Sequence, residues 1–242
     1  QARVDSGAAE VVLAGGAESY SRRPLRAMPG ADGVAVPYDQ APFTPWPDRD
    51  PEMGAAAAAL ADRLGISREA QAAWAVESHA KAMGVADWPE IVEIDGVSRD
   101  AFTRAMTPAL ASRAPRVAGS ITAATAAVAA DAAAFVLVVS DRLAAGHGLR
   151  ILGGATLGGN PEEPGMVPVA AITAALARAG LRPEALGMAE VMEAYAVQAI
   201  ACVQGAGLDP GRVNPGGGAL ARGHPVGASG AVLAVRLFHQ MT

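Results

Sequence analysis

The residues best suited to chemistry lie in a glycine-rich segment near the C-terminal end of the sequence, at 214–231. It contains His224, and imidazole is the side chain that titrates nearest neutral pH. The surrounding glycines let the backbone bend sharply or approach another group closely, and Pro225 biases His224 toward an extended conformation. A helix that begins near Ser229 would leave backbone N–H groups nearby, which suit an anionic oxygen. This combination predicts acyl-transfer chemistry.

Other catalytic and binding templates fit the sequence poorly. A Walker phosphate loop needs Gly-Lys-Ser or Gly-Lys-Thr, and neither triplet occurs. Residues 227–230 (GASG) differ from the G-x-S-x-G hydrolase motif because the last glycine comes one residue early. A dinucleotide fingerprint belongs in the first βα unit of a domain, whereas this segment lies near the end of the chain. The four histidines lack metal-ligand spacing, so we predict no metal site. We expect three of them at the surface: His79, His147 and His239.

The elements that must position His224 alternate between strands and helices, which predicts an α/β fold with a layered, largely buried sheet. Apolar runs predict strands at 11–14, 135–139, 150–158 and 188–191, the first of a kind that is buried on both faces in a parallel sheet. Helices are predicted at 53–64, 123–134, 170–179, 194–205 and 229–241. A further helix is predicted to begin after a cap at Ser67. The proline-rich region 23–52 predicts irregular structure.

The helix after Ser67 has two further patterns. Four residues recur at amphipathic spacing and predict its buried face: Ala73, Val76, Ala80 and Met83. Glu77 and Lys81 stand four residues apart in the order that favours an ion pair.

Composition limits the classes of partner and the cellular compartment. The net charge of −5 argues against nucleic acid and anionic membranes as partners. The only cysteine, Cys202, is expected to be a buried, inert thiol, and it excludes a disulfide framework within the chain. No apolar run is long enough to span a bilayer and no signal peptide is recognisable, so we expect a cytoplasmic protein. The first residue is Gln1, from which we expect either processing or a start that lies outside this record.

Four stretches together resemble the thiolase family. The segment at 214–231 resembles the thiolase signature around Gly-His-Pro, and 14–21 (AGGAESYS) resembles the family's Gly-Gly-x-Glu-Ser-Met-Ser. Residues 65–71 (GISREAQ) resemble the start of its loop-domain helix, and 192–196 (MEAYA) resemble its Asn-Glu-Ala-Phe-Ala. The stretches occur in the family's order and cover nearly the whole chain.

The resemblance implies a layered α/β fold with two related halves and a loop domain inserted in the first. The implied domains are a remnant of the N-terminal half at 1–22, the loop domain at 23–122, a return to the N-terminal half at 123–147, and an incomplete C-terminal half at 148–242. The implied activity is that of an acyl-CoA C-acyltransferase, which cleaves 3-ketoacyl-CoA thiolytically or runs the reverse Claisen condensation. Coenzyme A thioesters would be substrates, no separate cofactor is expected, and the family usually forms homodimers or homotetramers.

The resemblance also implies roles for individual residues. His224 takes the place of the histidine that activates a nucleophilic cysteine. Met192 takes the place of an asparagine that holds an oxyanion-stabilising water, which a methionine side chain cannot do. The remaining implied contacts to substrate and coenzyme A are Met53, Ala127, Ala194, Tyr195 and Gly223.

The sequence departs from the family at several of these positions. Ala127 replaces a substrate-side serine, and Glu52 replaces a histidine often found before Met53. The resemblance places the nucleophilic cysteine before Gln1 and the second cysteine, in a Cys-x-Gly-Gly-Gly motif, after Thr242. We expect two further acids, Glu18 and Glu193, to fix backbone geometry rather than transfer protons.

Two alternatives stay open at this point. One is a non-catalytic thiolase-like protein that binds coenzyme A thioesters or serves as a subunit of a complex. The other is a related condensing enzyme, such as a ketoacyl synthase, which would need a second histidine close to His224.

Overall fold

The computed structural model describes residues 1–85 and 88–242. Within them the helices are α1 (Ala2–Asp5), α2 (Met53–Leu64), α3 (Arg68–Gly84), α4 (Pro108–Arg113), α5 (Asp141–Ala144), α6 (Val167–Ala179), α7 (Ala196–Gly205), α8 (Ala219–Arg222) and α9 (Ser229–Met241). The strands are β1 (Val11–Glu18), β2 (Arg26–Pro29), β3 (Ala35–Tyr38), β4 (Arg116–Ala118), β5 (Ile121–Thr122) and β6 (Ala132–Val139).

Strands β1 and β6 form an antiparallel pair in which Val11 lies opposite Val139 and Leu13 opposite Leu137. Successive side chains point to opposite faces of such a pair. On the outer face Leu13 is 65% and Leu137 is 67% exposed, whereas α9 contacts both strands. The expectation of a parallel strand buried on both faces at 11–14 is therefore wrong. Strand β6 confirms the strand predicted at 135–139, but it too is buried on one face only.

The strands predicted at 150–158 and 188–191 are not formed among the described residues. In the second segment only Ala189 joins a bridge, through its N–H to Arg212 O at 2.9 Å and its carbonyl to Asn214 N at 2.8 Å. A strand exists only when a neighbour satisfies its backbone groups, and 150–158 pairs with no described segment. An apolar run cannot show whether such a neighbour is present.

The proline-rich region is more regular than predicted, because β2 and β3 form a hairpin within it. Its turn is closed by the N–H of Gly30, which donates to Val34 O at 2.7 Å. Asp32 Oδ1 accepts from Val34 N, and Gly33 adopts a φ of +77°. The turn chemistry of aspartate and glycine explains the hairpin.

Helix α2 has the predicted bounds and ends at Gly65, which has a φ of +64°. The predicted cap of α3 is confirmed, since Ser67 Oγ accepts from Ala70 N at 3.2 Å. The predicted ion pair is confirmed as well, with Lys81 Nζ 2.8 Å from Glu77 Oε1. Helices α2 and α7 pack together with β5 in one apolar core, formed by Ala57, Ala58, Leu60, Ala61, Ile66, Ile121, Val197, Ile200 and Ala201.

The buried face of α3 is not the predicted one. Ala73, Ala80 and Met83 are exposed, and the buried residues are Gln71, Ala75, Ser78, His79 and Ala82. Polar side chains occupy this face because each finds a hydrogen-bond partner, which removes most of the cost of burial. His79, expected at the surface, is only 2% exposed, whereas His147 and His239 are exposed as predicted.

No helix among the described residues is long and apolar enough to cross a membrane.

Candidate functional site

His224 is held at both its backbone and its ring. Its N–H donates to Val128 O at 2.7 Å, which links it to the segment before β6. Its Nδ1 lies 2.8 Å from Ser229 Oγ, and that hydroxyl donates to Pro225 O, also at 2.8 Å. A hydroxyl has one proton to donate, so Ser229 Oγ accepts from His224. Nδ1 therefore carries the proton, and Nε2 keeps a free lone pair.

Burial favours the neutral form of this imidazole. Burial lowers the pKa of His224 below its ordinary value, and the negative charge of Glu18 opposes that effect. A neutral imidazole with Nε2 unprotonated is the form that acts as a general base. The site can therefore take a proton from a group placed opposite Nε2.

Gly223 lets the chain turn directly before the histidine. Its φ is +96°, and a Cβ there would lie 2.8 Å from Ala130 Cβ and 3.1 Å from Phe102 Cδ2. A larger residue at position 223 would have a strained backbone and would clash with Ala130 and Phe102. This explains why a glycine precedes His224.

The small-residue segment before β6 is not the helix predicted at 123–134. Ala127 N donates to Ala194 O at 2.9 Å, and Ala196 N donates to Thr125 O at 2.9 Å. The carbonyl of Val128, three residues after Thr125, accepts from the N–H of His224. After a turn at 123–125 the segment runs between the two motif regions, and its backbone groups hydrogen-bond to both. Small side chains allow this close approach.

A cavity of about 260 Å³ lies beside this junction. Four of the residues implied by the resemblance line it: Met53, Met192, Ala194 and Tyr195. The rest of its wall is largely apolar and comes from α2, α7 and residues 163–168. Such a pocket, with few polar groups, suits the apolar part of a ligand.

The predicted site residues therefore do not all line this cavity. Ala127 is hydrogen-bonded to Ala194 of the cavity wall, and His224 is hydrogen-bonded to the next residue of the same segment, Val128. Gly223 lines a second cavity, of about 670 Å³, which lies between residues 88–102 and α9. None of the atoms that hydrogen-bond His224 belongs to another histidine, and the buried His79 accepts from Arg104 N instead.

Three of the backbone N–H groups just before and at the start of α9 are already engaged. Gly227 N donates to Glu18 Oε2 at 3.0 Å. The N–H groups of Ala228 and Ser229 both donate to Pro225 O. Met192 adds no donor. The side chains of the cavity wall that carry polar hydrogens are Gln198, whose amide nitrogen donates to Cys202 Sγ at 3.4 Å, and Tyr195, through its hydroxyl. Burial, and secondly the charge of Glu52, raises the pKa of Tyr195 and keeps that hydroxyl protonated.

Glu193 accepts more hydrogen bonds than the sequence indicated. Its carboxylate is 1% exposed. It accepts from Trp74 Nε1 at 3.0 Å, Ser78 Oγ at 2.8 Å, Asn214 Nδ2 at 2.9 Å and Leu220 N at 3.2 Å. It therefore joins α3, the glycine-rich segment and α8, and these contacts agree with the backbone role expected for it. In the sequence, the only indication of this role was the position of Glu193 next to Met192 in the motif at 192–196.

Cys202 is fully buried in α7, as predicted, and burial raises the pKa of its thiol. Among residues 1–85 and 88–242, no group of three or more His, Cys, Asp or Glu side chains could hold a metal ion.

Comparison with protein families gives two matches. The model described as "Thiolase, N-terminal domain" matches residues 1–142, and "Thiolase, C-terminal domain" matches residues 148–242. The finer four-part division of the chain stays a prediction.

Individual relatives agree with these matches. An acetyl-CoA acetyltransferase of Pseudomonas aeruginosa is 38% identical over 263 residues, which cover 97% of this chain and 67% of that protein. A 3-ketoacyl-CoA thiolase of Bacillus subtilis is 34% identical, covering 97% and 66%. The crystal structure of human mitochondrial 3-ketoacyl-CoA thiolase in complex with CoA superposes with a TM-score of 0.85 at 29% identity, covering 99% and 66%. The chain thus spans about two thirds of the length of these relatives and has their layered α/β fold.

Proposed function

The chain belongs to the thiolase family, and on this premise we propose that it supplies the general base and the thioester cavity of an acyl-CoA C-acyltransferase. The reaction is thiolytic cleavage of a 3-ketoacyl-CoA or the reverse Claisen condensation. The observation that carries the proposal is the chain of hydrogen bonds from His224 Nδ1 through Ser229 Oγ to Pro225 O, which leaves Nε2 free. The names of the relatives and the coenzyme A bound to the human structure support the same reaction.

In the proposed step His224 accepts a proton from a cysteine thiol. The S–H bond breaks, its electron pair stays on sulfur, and the proton moves to Nε2. The thiolate then attacks the 3-keto carbon of the substrate and the bond between C2 and C3 breaks, so that the acyl group stays on the sulfur as a thioester. The acetyl-CoA carbanion leaves and takes a proton from the second cysteine that the resemblance implies. Coenzyme A then gives its thiol proton to that second cysteine, its sulfur takes the acyl group, and the released cysteine thiolate recovers its proton from His224. Cys202 is not this nucleophile, because its buried thiol has a raised pKa and contacts Gly165 O and Gln198. The resemblance assigns the role to a cysteine that is not among these 242 residues.

The acyl-CoA thioester would enter the cavity lined by Met53, Met192 and Tyr195. The wall is apolar apart from the Tyr195 hydroxyl and a few neighbours, which suits a pantetheine arm or an acyl chain. With Met192 in place of an amide, a thioester oxygen would accept from the Tyr195 hydroxyl or from the Gln198 amide, which lines the same cavity. No separate cofactor is required.

The proposal extends to assembly and location. We propose a cytoplasmic location, and self-association into a homodimer or homotetramer as the family resemblance implies. Neither nucleic acid nor a membrane is a proposed partner.

A second candidate function is a non-catalytic protein that binds coenzyme A thioesters. One observation favours it: Met192 and Ala127 are apolar where the family pattern has polar side chains. Intact-mass measurement of the whole protein after incubation with acetyl-CoA separates the two functions. An added acetyl group that hydroxylamine removes supports the transferase, and an unchanged mass with retained acetyl-CoA binding supports the binding protein.

The test of the transferase combines binding and turnover. We expect titration calorimetry to show acetyl-CoA binding, and Met53→Trp to abolish it by filling the cavity. Leu25→Trp, on a fully exposed side chain, is the matched control and should bind normally.

In the whole protein His224→Ala should lower kcat for acetoacetyl-CoA thiolysis by about 10²–10⁴-fold, because general base catalysis contributes on that order. Unchanged turnover in His224→Ala would refute the proposed role.

A further inference from the structure

The end of β1 lies against the loop that follows the histidine. Gly227 N donates to Glu18 Oε2 at 3.0 Å. A Cβ on Gly16 would lie 2.1 Å from Gly227 O, and a Cβ on Gly227 would lie 2.8 Å from Ala17 O. The backbones of residues 16–17 and of Gly227 are therefore in direct contact, and the Glu18 carboxylate is fixed relative to residues 225–228.

This carboxylate lies at the start of a 13-residue helix. Helix α9 has Ala228 as its N-cap residue, with no side-chain capping bond of its own. The N-terminus of a helix carries a partial positive charge, and a carboxylate placed there is stabilised. The same partial charge opposes a positive imidazolium, and His224 is bonded to Ser229, the first residue of α9. The charge of Glu18 offsets this repulsion.

Few other charges act on the imidazole from the segments that contact it. Arg222 precedes the histidine, but its guanidinium is paired with Asp100 at 2.7 Å and donates to Gly216 O. Asp131 follows the segment bonded to His224, and its carboxylate is held by the N–H and hydroxyl of Ser21. Glu18 is the carboxylate that raises the pKa of His224, against the larger effect of burial.

We propose that Glu18 is a positioning residue of this site, which holds the 225–228 loop through Gly227 and stabilises the protonated form of His224. The inference deepens the proposed function, since it names the group that balances the charge formed when a thiol proton moves to Nε2. In this role Glu18 does not take the proton from the thiol. The thiolate and imidazolium thus form beside an existing negative charge.

Glu18→Gln separates the two roles of the side chain. The amide oxygen of glutamine can still accept from Gly227 N, while the charge is lost. We expect the pKa of His224 to fall by about 0.5 to 1, the lower end of the effect of a nearby opposite charge, because Glu18 is partly exposed to solvent. The measurement is an NMR titration of the four histidine imidazoles, with the His224 signal identified by its loss in His224→Asn.

Glu10→Gln is the matched control, since it removes the same charge next to the opposite end of the same strand. It should leave the pKa of His224 unchanged. A Glu18→Gln protein whose His224 titrates as in the wild type, or a Glu10→Gln protein that shows an equal fall, would overturn the proposal.

Salt gives a second measurement that needs no variant. Salt screens exposed charges at a Debye length of about 3 Å at 1 M, so the pKa of His224 in the wild-type protein should fall between low salt and 1 M salt. A pKa that stays constant or rises would contradict the charge effect. These titrations need no substrate, so their failure is distinct from a failure of acetyl-CoA binding or thiolysis, which bears on the proposed function alone.

Discussion

At the scale of single residues, Ser229 determines which nitrogen of His224 is available. Its hydroxyl donates to Pro225 O and accepts from Nδ1, and the residue is only 4% exposed, so water does not compete freely for these bonds. Backbone N–H groups also donate to Pro225 O, which means that loss of the hydroxyl would leave that carbonyl satisfied. The ring nitrogen would lose its partner.

Ser229→Ala should therefore change the tautomer and orientation of His224 while the fold is kept. We expect the ¹⁵N spectrum of the neutral ring to change from a predominant Nδ1–H form to a mixture that includes Nε2–H, because no acceptor fixes the proton at Nδ1. Ser229→Thr retains a hydroxyl and is the control that should keep the Nδ1–H form. A wild-type spectrum in Ser229→Ala would show that another group holds the ring.

Sequence reasoning identified the candidate histidine but not the group that orients it. The glycines around His224 and the motif at 192–196 predicted residues that do lie near one another through the 122–131 segment. The pairing of His224 with Ser229 depends on how far α9 extends and on the turn at Pro225, which are matters of three-dimensional geometry. For the same reason the sequence did not reveal that Glu18 and Pro225 accept from three of the N–H groups near the start of α9.

At the scale of elements, three consecutive glycines let the glycine-rich segment pack against α3 and Glu193. A Cβ on Gly217, whose φ is +75°, would lie 2.3 Å from Ser78 O and 2.7 Å from Ala82 N. A Cβ on Gly218 would lie 2.2 Å from the Glu193 carboxylate. Since α8 begins at the next residue and leads to Gly223, this contact fixes the direction from which the chain reaches His224.

Gly217→Ala should destabilise the protein by more than its backbone conformation alone explains. A left-handed conformation costs an L-residue about 1–2 kcal/mol, and the contact with α3 adds overpacking of about 1–3 kcal/mol. Gly33→Ala is the matched control: its φ is +77° and nothing lies within 4 Å of the added Cβ. We expect urea denaturation to show a larger loss of unfolding free energy for Gly217→Ala. Equal losses would indicate that α3 moves aside without cost.

Helices were predicted better than strands for a physical reason. The bounds of α2 and the cap of α3 depend on residues within a few positions of each other, and both were confirmed. The partner, direction and covered face of a strand depend on distant segments. The runs at 11–14 and 150–158 therefore could not reveal that one pairs antiparallel with β6 and the other pairs with no described segment. The buried face of α3 was misjudged because Gln71, Ser78 and His79 are buried with partners that pattern analysis does not show.

At the scale of the whole molecule, His79 makes folding depend on pH. It lies on the buried face of α3, and its Nδ1 accepts from Arg104 N at 3.4 Å, which links α3 to the segment before α4. Burial, and then the positive charge of Arg104, lowers its pKa to about 4 from an ordinary 6.5. Between these values the unfolded chain binds a proton that the folded chain does not, so acid favours unfolding.

This difference predicts the size and the pH range of the effect. Stability due to neutral His79 is present above pH 6.5, decreases as the pH falls toward 4, and decreases no further below that value. A drop from pH 7 to pH 5 should cost about 2 kcal/mol of unfolding free energy, at 1.36 kcal/mol for each pKa unit. Urea denaturation at both pH values measures this loss. In His79→Gln, whose side chain can still accept from Arg104 N, the loss should be smaller by about that amount, while His147→Gln, at an exposed histidine, should behave as the wild type. If His79→Gln lost as much stability as the wild type between pH 7 and pH 5, the acid sensitivity would come from other groups.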